Sequence, residues 1–399
     1  MKLPNYNYHS HTYRCGHATF VNDKEYIDKY IKNGFKNIGI SDHMPNTKYQ
    51  LPDERSRMDI NHFNSYIKSI KKISKRNRNI NILIGLECEY SNILAKHLCM
   101  LKDKCDYLIL GQHYIDNINP ISNIEYPLIY AESVCDALDT GLFDYIAHPD
   151  YFLKYRDTIK KEDRDAYISN CKKCFKTICI KAKKLNIPLE INLNFINNVK
   201  IMEDNEYPYP HSLLFDIASK IGNKCVIGID AHNPNVIAKY KDSFYKVLRD
   251  LPKLDIIYDY NPIKYRTKLL DKKYNIFKKN IKSFEYFYLK KIIKRIPYNS
   301  NNEEIINMFN KLKINLSNNK NIIINQLLKE IDTINNSILD IKDKNSMINR
   351  KKEYIKLTEK RYKEQDKLLT NMIKILNKNK YKYKYNGQKL IKRLKEYYL

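Results

Sequence analysis

Tryptophan is absent from the 399 residues, and glycine occurs only nine times. Asn, Lys, Ile and Tyr are abundant instead, a set whose codons are AT-rich, so part of the lysine content can reflect genome composition. No apolar run approaches the length needed to cross a bilayer, which excludes a membrane-spanning helix. The N-terminus lacks the charged, apolar and small-residue order of a secretory signal. Nine cysteines, an odd number at irregular spacing, exclude a regular disulfide framework and suit a reducing compartment. These absences lead us to expect a cytoplasmic protein with no membrane contact. Cys171 and Cys174 form a C-x-x-C with no second pair, and the surrounding YISNCKKCFKTICIKAKKL reads as an amphipathic helix, so packing is the expectation there.

Charge is unevenly spread. The formal net charge is +27, and residues 266–399 hold 34 of the Lys/Arg and only 13 of the Asp/Glu. A nearly balanced region, 1–265, thus precedes a strongly basic one, 266–399, and we read these as two domains. The second region contains one proline, Pro297, and one glycine, Gly387, and is expected to be mostly helical. Ile324, Leu327, Ile331, Ile334, Ile338, Ile341 and Ile348 follow 3,4 spacing, with Asn345 at the vacant position. This predicts a coiled coil over about 320–376 that weakens where Lys352 and Glu359 reach the seam. Three readings stay open for this region: a solvated charged extension, self-association through the coiled coil, and nucleic-acid binding by Lys and Tyr interleaved in KNKYKYKYNGQK.

The first region alternates short apolar runs with amphipathic ones. NYNYH, NIGIS, INILIGL, DYLILG, DYIAH, IPLEINL and CVIGID are seven candidate strands. Helical spacing fills 23–33, 60–75 and 129–141, and a glycine follows the first and closes the third. Such alternation predicts a parallel α/β architecture. Nearly every strand runs into a ligand-capable residue: His43, Glu87, His113, His148, Glu190, Asp230. Strand ends that converge on one face favour a barrel over an open sheet.

Seven of the ten histidines, His9, His11, His17, His43, His113, His148 and His232, fall at or just after these ends. His62, His97 and His211 do not and are expected to be ordinary surface or packing residues. His9-x-His11 and Asp230-x-His232 can each present both side chains to one side if the strand continues through them. Neutral imidazole and carboxylate together suit zinc, iron or manganese, and so many donors exceed the needs of one ion.

HSHTYRCGHA, ISDH, GLECEY, GQHY, AHPD, LEIN and IGIDAH, in this order, resemble the motifs of the PHP (polymerase and histidinol phosphatase) superfamily, in its histidinol-phosphatase-like branch. The resemblance extends over residues 4 to about 262. It implies a distorted seven-stranded (β/α) barrel and two or three divalent ions, Zn, Mn or Fe. By the resemblance, His9, His11, Glu87 and Asp230 hold one ion; Glu87 bridges to a second on His113 and His148; His17, His43 and His232 hold the third. Glu87, His113 and Asp230 are then the catalytic candidates, and Glu190 orients ligands. Glu89 is read as structural, and Cys15 as packing beneath the site. A small phosphate monoester, histidinol phosphate or similar, is the implied substrate, hydrolysed by a hydroxide bridging the ions; the alternative is a PHP phosphoesterase acting on nucleotides or nucleic acid and recruited by the basic region. Arg57 resembles a family arginine at the substrate entrance and competes with a solvated loop role; Arg55 is weaker. LEINLNFINNVK departs from many relatives, with Asn197 and Asn198 and only Lys200 where they carry an arginine.

Overall fold

The computed structural model describes residues 3–46, 56–115, 118–198, 209–251, 254–281, 302–336 and 341–379. Arg55, Lys200, Ile338 and the Lys/Tyr-rich end lie outside them. The chain divides into two compact units, Met1–Lys279 and Asn280–Leu399.

The first unit is an α/β structure on a curled parallel sheet. Its strands are β1 (Tyr6–Asn7), β2 (Asn37–Ile40), β3 (Asn81–Cys88), β4 (Tyr107–Leu110), β5 (Tyr145–Ile146), β6 (Leu189–Asn192), β7 (Lys224–Gly228) and β8 (Asp255–Ile256). They lie side by side in chain order, every pair parallel. Parallel neighbours need long crossovers, and helices supply most of them: α1 (Asp23–Lys32), α2 (Phe63–Arg76), α3 (Ala95–Lys102), α4 (Tyr126–Asp139) and α5 (Arg164–Leu185). After β6 come α6 (Asn194–Asn198) and α7 (Ser212–Ile221), and α8 (Tyr240–Asp250) follows β7. The apolar runs of the sequence correspond to β1–β7. The expected count of seven is corrected to eight, because β8 is two residues long and leaves no periodicity to read.

Past the ends of β1 and β7 the curl brings first and late chain together. Ser10 bridges Ala231 in parallel, the His11 amide donates to the Ala231 carbonyl at 3.0 Å, and the Asp230 amide to that of His9 at 3.0 Å. Buried Tyr6, Tyr8, Tyr107, Tyr145 and Tyr260 cluster with Leu83, Ile109 and Val226. A buried phenol needs a hydrogen-bond partner, and Tyr107 donates to the Tyr8 carbonyl at 2.8 Å, Tyr6 to that of Ile257 at 2.7 Å. Cys171, Cys174 and Cys179 are buried along α5, the packing role expected of them.

The boundary expected at 265 falls later in the structure. Two more helices follow β8, α9 (Pro262–Tyr265) and α10 (Lys268–Asn280). Leu270 and Phe277 of α10 are buried, Arg266 pairs with Asp144 at 2.9 Å and Lys273 with Asp139 at 3.1 Å. Part of the basic charge therefore neutralises carboxylates of the sheet unit.

In the second unit, α11 (Asn302–Asn335) and α12 (Ile341–Asn379) pair within the chain. Glu330 meets Lys351 at 2.5 Å and Lys313 meets Asp366 at 3.4 Å, so the helices run antiparallel. The seam expected to run unbroken from Ile324 to Ile348 is divided between them. Leu327, Ile331 and Ile348 are buried, whereas Ile341 is 79% exposed. Asn335 and Asn336 offer little helix propensity, and the first helix ends there. Among the described residues no helix is long and apolar enough to cross a membrane.

Candidate metal centre

The side chains singled out by their strand-end positions meet in one place. His9 and His11 follow β1, His43 follows β2, Glu87 lies in β3, His113 follows β4, His148 follows β5, Glu190 lies in β6, and Asp230 and His232 follow β7. His17 comes just after a 3-10 turn, Tyr13–Cys15. His148 and Asp230 have φ of 26° and 52°, a sparsely populated region for side-chain-bearing residues whose cost the surroundings must offset. His9 and His11 form a fully buried floor, while His17 is exposed at the mouth.

Glu87 stands at the centre. Its Oε1 lies 2.7 Å from His148 Nε2 and 3.3 Å from His113 Nε2. Its Oε2 lies 3.1 Å from His43 Nδ1 and 3.5 Å from the Nε2 atoms of both His9 and His11. Asp230 Oδ1 is 2.9 Å from His11 Nε2 and 3.4 Å from His9 Nε2. Towards the mouth, the His232 ring centre lies 4.0 Å from that of His11 and 4.6 Å from that of His17.

Carboxylates and carbonyls behind the rings fix their orientation. His9 Nδ1 meets Glu190 Oε1 at 2.8 Å, and the other Glu190 oxygen accepts from the His148 amide at 2.9 Å. His113 Nδ1 meets Glu89 Oε1 at 2.7 Å. His17 Nδ1 lies 3.2 Å from the Cys15 carbonyl and His232 Nδ1 3.1 Å from that of Asp230. Two of the few glycines make room for the carboxylates. A Cβ on Gly111 would sit 2.0 Å from Glu87 Oε1, and one on Gly228 1.8 Å from Glu190 Oε1.

Protein groups alone leave this cluster unsatisfied. Buried polar atoms are ordinarily hydrogen-bonded, yet His9 Nε2, His11 Nε2, His43 Nδ1, His232 Nε2, Glu87 Oε2 and Asp230 Oδ1 are buried without a hydrogen bond. Donor atoms of His9, His11 and Asp230 lie within 4.8 Å of one another, as do those of His9, Glu87 and His148, of His11, His43 and Glu87, and of His17, His43 and His232. Residue type, convergence and unspent lone pairs fit divalent cations. Cys15 forms a further such group with His11 and His232; burial pushes its thiol up.

Without an ion the electrostatics divide the rings: against the opposing effect of burial, Glu190, Asp230 and Glu87 raise His9 well above an ordinary imidazole, Asp230 and Asp42 raise His11 to about 9, and Glu87 raises His148. Burial opposes ionisation of Glu87, but His113, His9, His43 and His148 hold its carboxyl well below the usual range. Burial likewise opposes Asp230, which His9, His232 and His11 hold low. Burial and the neighbouring His11 push His232 down to about 3 and His43 well below an ordinary imidazole. The latter two rings are therefore neutral near pH 7, the form that binds a metal.

Sequence reasoning placed Arg57 at the substrate entrance. In the structure it is buried, one terminal nitrogen donating to Glu89 Oε2 at 2.7 Å and the other held by Glu89 Oε1. The arginine thus locks the carboxylate that orients His113. Asp42 had not been singled out. It lies 3.7 Å from His11 Nδ1, accepts from the His43 amide at 3.0 Å and from Thr12. Its position between a strand end and a site histidine in ISDH was the available signal. An aromatic wall was also missed: Tyr151 stands edge-on to His113 at 4.8 Å, with Tyr209 5.6 Å from Tyr151 and Phe195 5.1 Å from Tyr209. His97 bonds the Pro45 carbonyl at 3.1 Å and His211 caps α7; with His62, they stay outside the cluster.

A curled parallel sheet in chain order, with histidines and carboxylates gathered at its strand ends, defines a class of half-barrel α/β proteins with a pocket suited to divalent metal. Residues 7–193 match the family model of the PHP domain, and this stretch is a PHP domain. Among solved structures, a protein of Listeria monocytogenes assigned as a histidinol phosphatase is 20% identical, with a TM-score of 0.50, over 60% of this chain and 99% of that one. A histidinol phosphate phosphatase of Lactococcus lactis, solved with zinc, L-histidinol and phosphate, is 17% identical, with a TM-score of 0.46, over 61% of this chain and 94% of that one. The first of these likenesses concerns the fold. No curated protein sequence matches.

Proposed function

We propose that the first unit is a metal-dependent phosphomonoesterase of histidinol-phosphatase type. The observation that carries this reading is the pocket around Glu87, where buried imidazole and carboxylate atoms converge without hydrogen bonds. His9, His11, Glu87 and Asp230 would hold one divalent ion, Glu87, His113 and His148 a second, and His17, His43 and His232 a third, with Zn, Mn or Fe as the candidates. Bound there, such ions supply an activated water near neutral pH and neutralise phosphoryl oxygens. Glu190 and Glu89 keep His9 and His113 in register. The exposed mouth at His17 admits a phosphate group, and the wall of Tyr151, Tyr209 and Phe195 suits a leaving alcohol that carries a flat ring such as imidazole. Lys154, with its ammonium 3.8 Å above the Tyr151 ring, places positive charge at the same wall.

The test is an assay of the purified full chain with Mn, Zn or Fe against histidinol phosphate and a panel of small phosphomonoesters, nucleotides included. Metal-dependent turnover that a chelator abolishes is expected. Its absence on every ester would overturn the reading, and turnover confined to nucleotides would move the substrate class. Arg57→Ala separates two roles of that residue. Acting through Glu89 and His113, its loss lowers kcat roughly ten- to a hundredfold with KM little changed, whereas loss of a substrate clamp raises KM.

A further inference from the structure

Five lysines of the helical pair share one groove. Lys313 and Lys320 of α11 and Lys356, Lys360 and Lys363 of α12 line a single groove of about 600 Å³. Each set repeats at three, four or seven residues, so each forms a stripe along its own helix, about 10 Å long at 1.5 Å per residue. Because Glu330 faces Lys351 and Lys313 faces Asp366, the stripes run alongside each other.

Two carboxylates share the groove, Glu359 and Asp366, and Asp366 is taken by Lys313 at 3.4 Å. Among the described residues no carboxylate pairs with Lys320, Lys356, Lys360 or Lys363. Four unpaired ammonium groups along one groove repel each other, and an extended polyanion relieves that repulsion. The concave, linear shape and the absence of a buried anchor fit a regularly charged strand better than a compact anion.

We propose that this groove binds the phosphate backbone of a single-stranded nucleic acid. The inference stands apart from the phosphatase reading, since none of these lysines belongs to the pocket around Glu87. Recognition is by charge along the backbone, and binding therefore weakens steeply with salt, with a slope of about 0.7 per phosphate neutralised.

The experiment measures binding of the full chain to a fluorescein-labelled 20-nucleotide oligothymidylate by anisotropy, at several salt concentrations. Three proteins are compared: wild type, K356E/K360E/K363E, and K68E/K71E/K72E, which makes the same charge change on exposed lysines of α2. The groove variant is expected to lose at least about tenfold in affinity and about two units of salt slope, while the α2 variant loses far less. The neutral K356Q/K360Q/K363Q variant, which introduces no new carboxylates, should fall between wild type and the groove charge reversal. Equal losses in the two charge-reversed proteins would reduce the effect to net charge and overturn the proposal. So would absence of wild-type binding, or loss of binding to phosphatidylserine vesicles with oligonucleotide binding intact.

Discussion

Glu87→Gln is expected to lower turnover by about a thousandfold or more, roughly 4 kcal/mol of transition-state stabilisation, and to lower bound metal in the purified protein. Glutamine keeps the volume and one acceptor oxygen, so the sheet should still fold. What it removes is the single negative charge that faces five imidazoles, with His148 at 2.7 Å and His43 at 3.1 Å on opposite oxygens. A neutral amide cannot bridge two cations as a carboxylate does, and its NH2 group would confront ring nitrogens. Elemental analysis for metal, circular dichroism for fold and turnover on the best ester form the check. A variant that retains full metal content and turnover within tenfold of wild type would refute the central place given to this residue.

The second large effect comes from a residue with no side chain. Gly228→Ala puts a methyl group 1.8 Å from Glu190 Oε1, on a backbone already in a sheet. Glu190 must swing away, giving up His9 Nδ1 and the His148 amide together. A buried carboxylate stripped of its partners costs about 3–5 kcal/mol, so a fall in Tm of several degrees is expected. Turnover should drop about ten- to a hundredfold as the two rings lose register. Gly34→Ala is the comparison: its φ of 84° strains an alanine, but nothing lies within 4 Å of the new Cβ. Both variants lose stability, and only Gly228→Ala should change turnover at a temperature where both are folded. Equal turnover in the two would show that Glu190 does not position the site.

Much of the architecture was legible because strand and ligand signals coincide. A buried parallel strand reads as a short apolar run, and here nearly every run ends on His, Asp or Glu, so pattern and chemistry mark the same positions. The eighth strand escaped because Asp255–Ile256 is too short to carry a pattern. The Arg57–Glu89 pair escaped for another reason: the partners are 32 residues apart, and only the tertiary fold shows that the arginine faces a carboxylate rather than the entrance. Composition misled at α10. Its lysines resemble those that follow, while the two apolar residues it buries, Leu270 and Phe277, are unremarkable in sequence. Heptad spacing likewise carried across the break after Asn335, since periodicity in the apolar positions does not register a reversal of direction.

The bridge between Ser10 and Ala231 joins the beginning of the chain to a point more than two hundred residues later. During synthesis, His9 and His11 emerge early and wait for Asp230 and His232, so a ribosome-bound chain that stops short of β7 holds an incomplete set of donors. Contacts this distant in sequence form late and slowly. If the pocket holds the ions proposed for it, cation loading would report completed folding of the whole sheet unit.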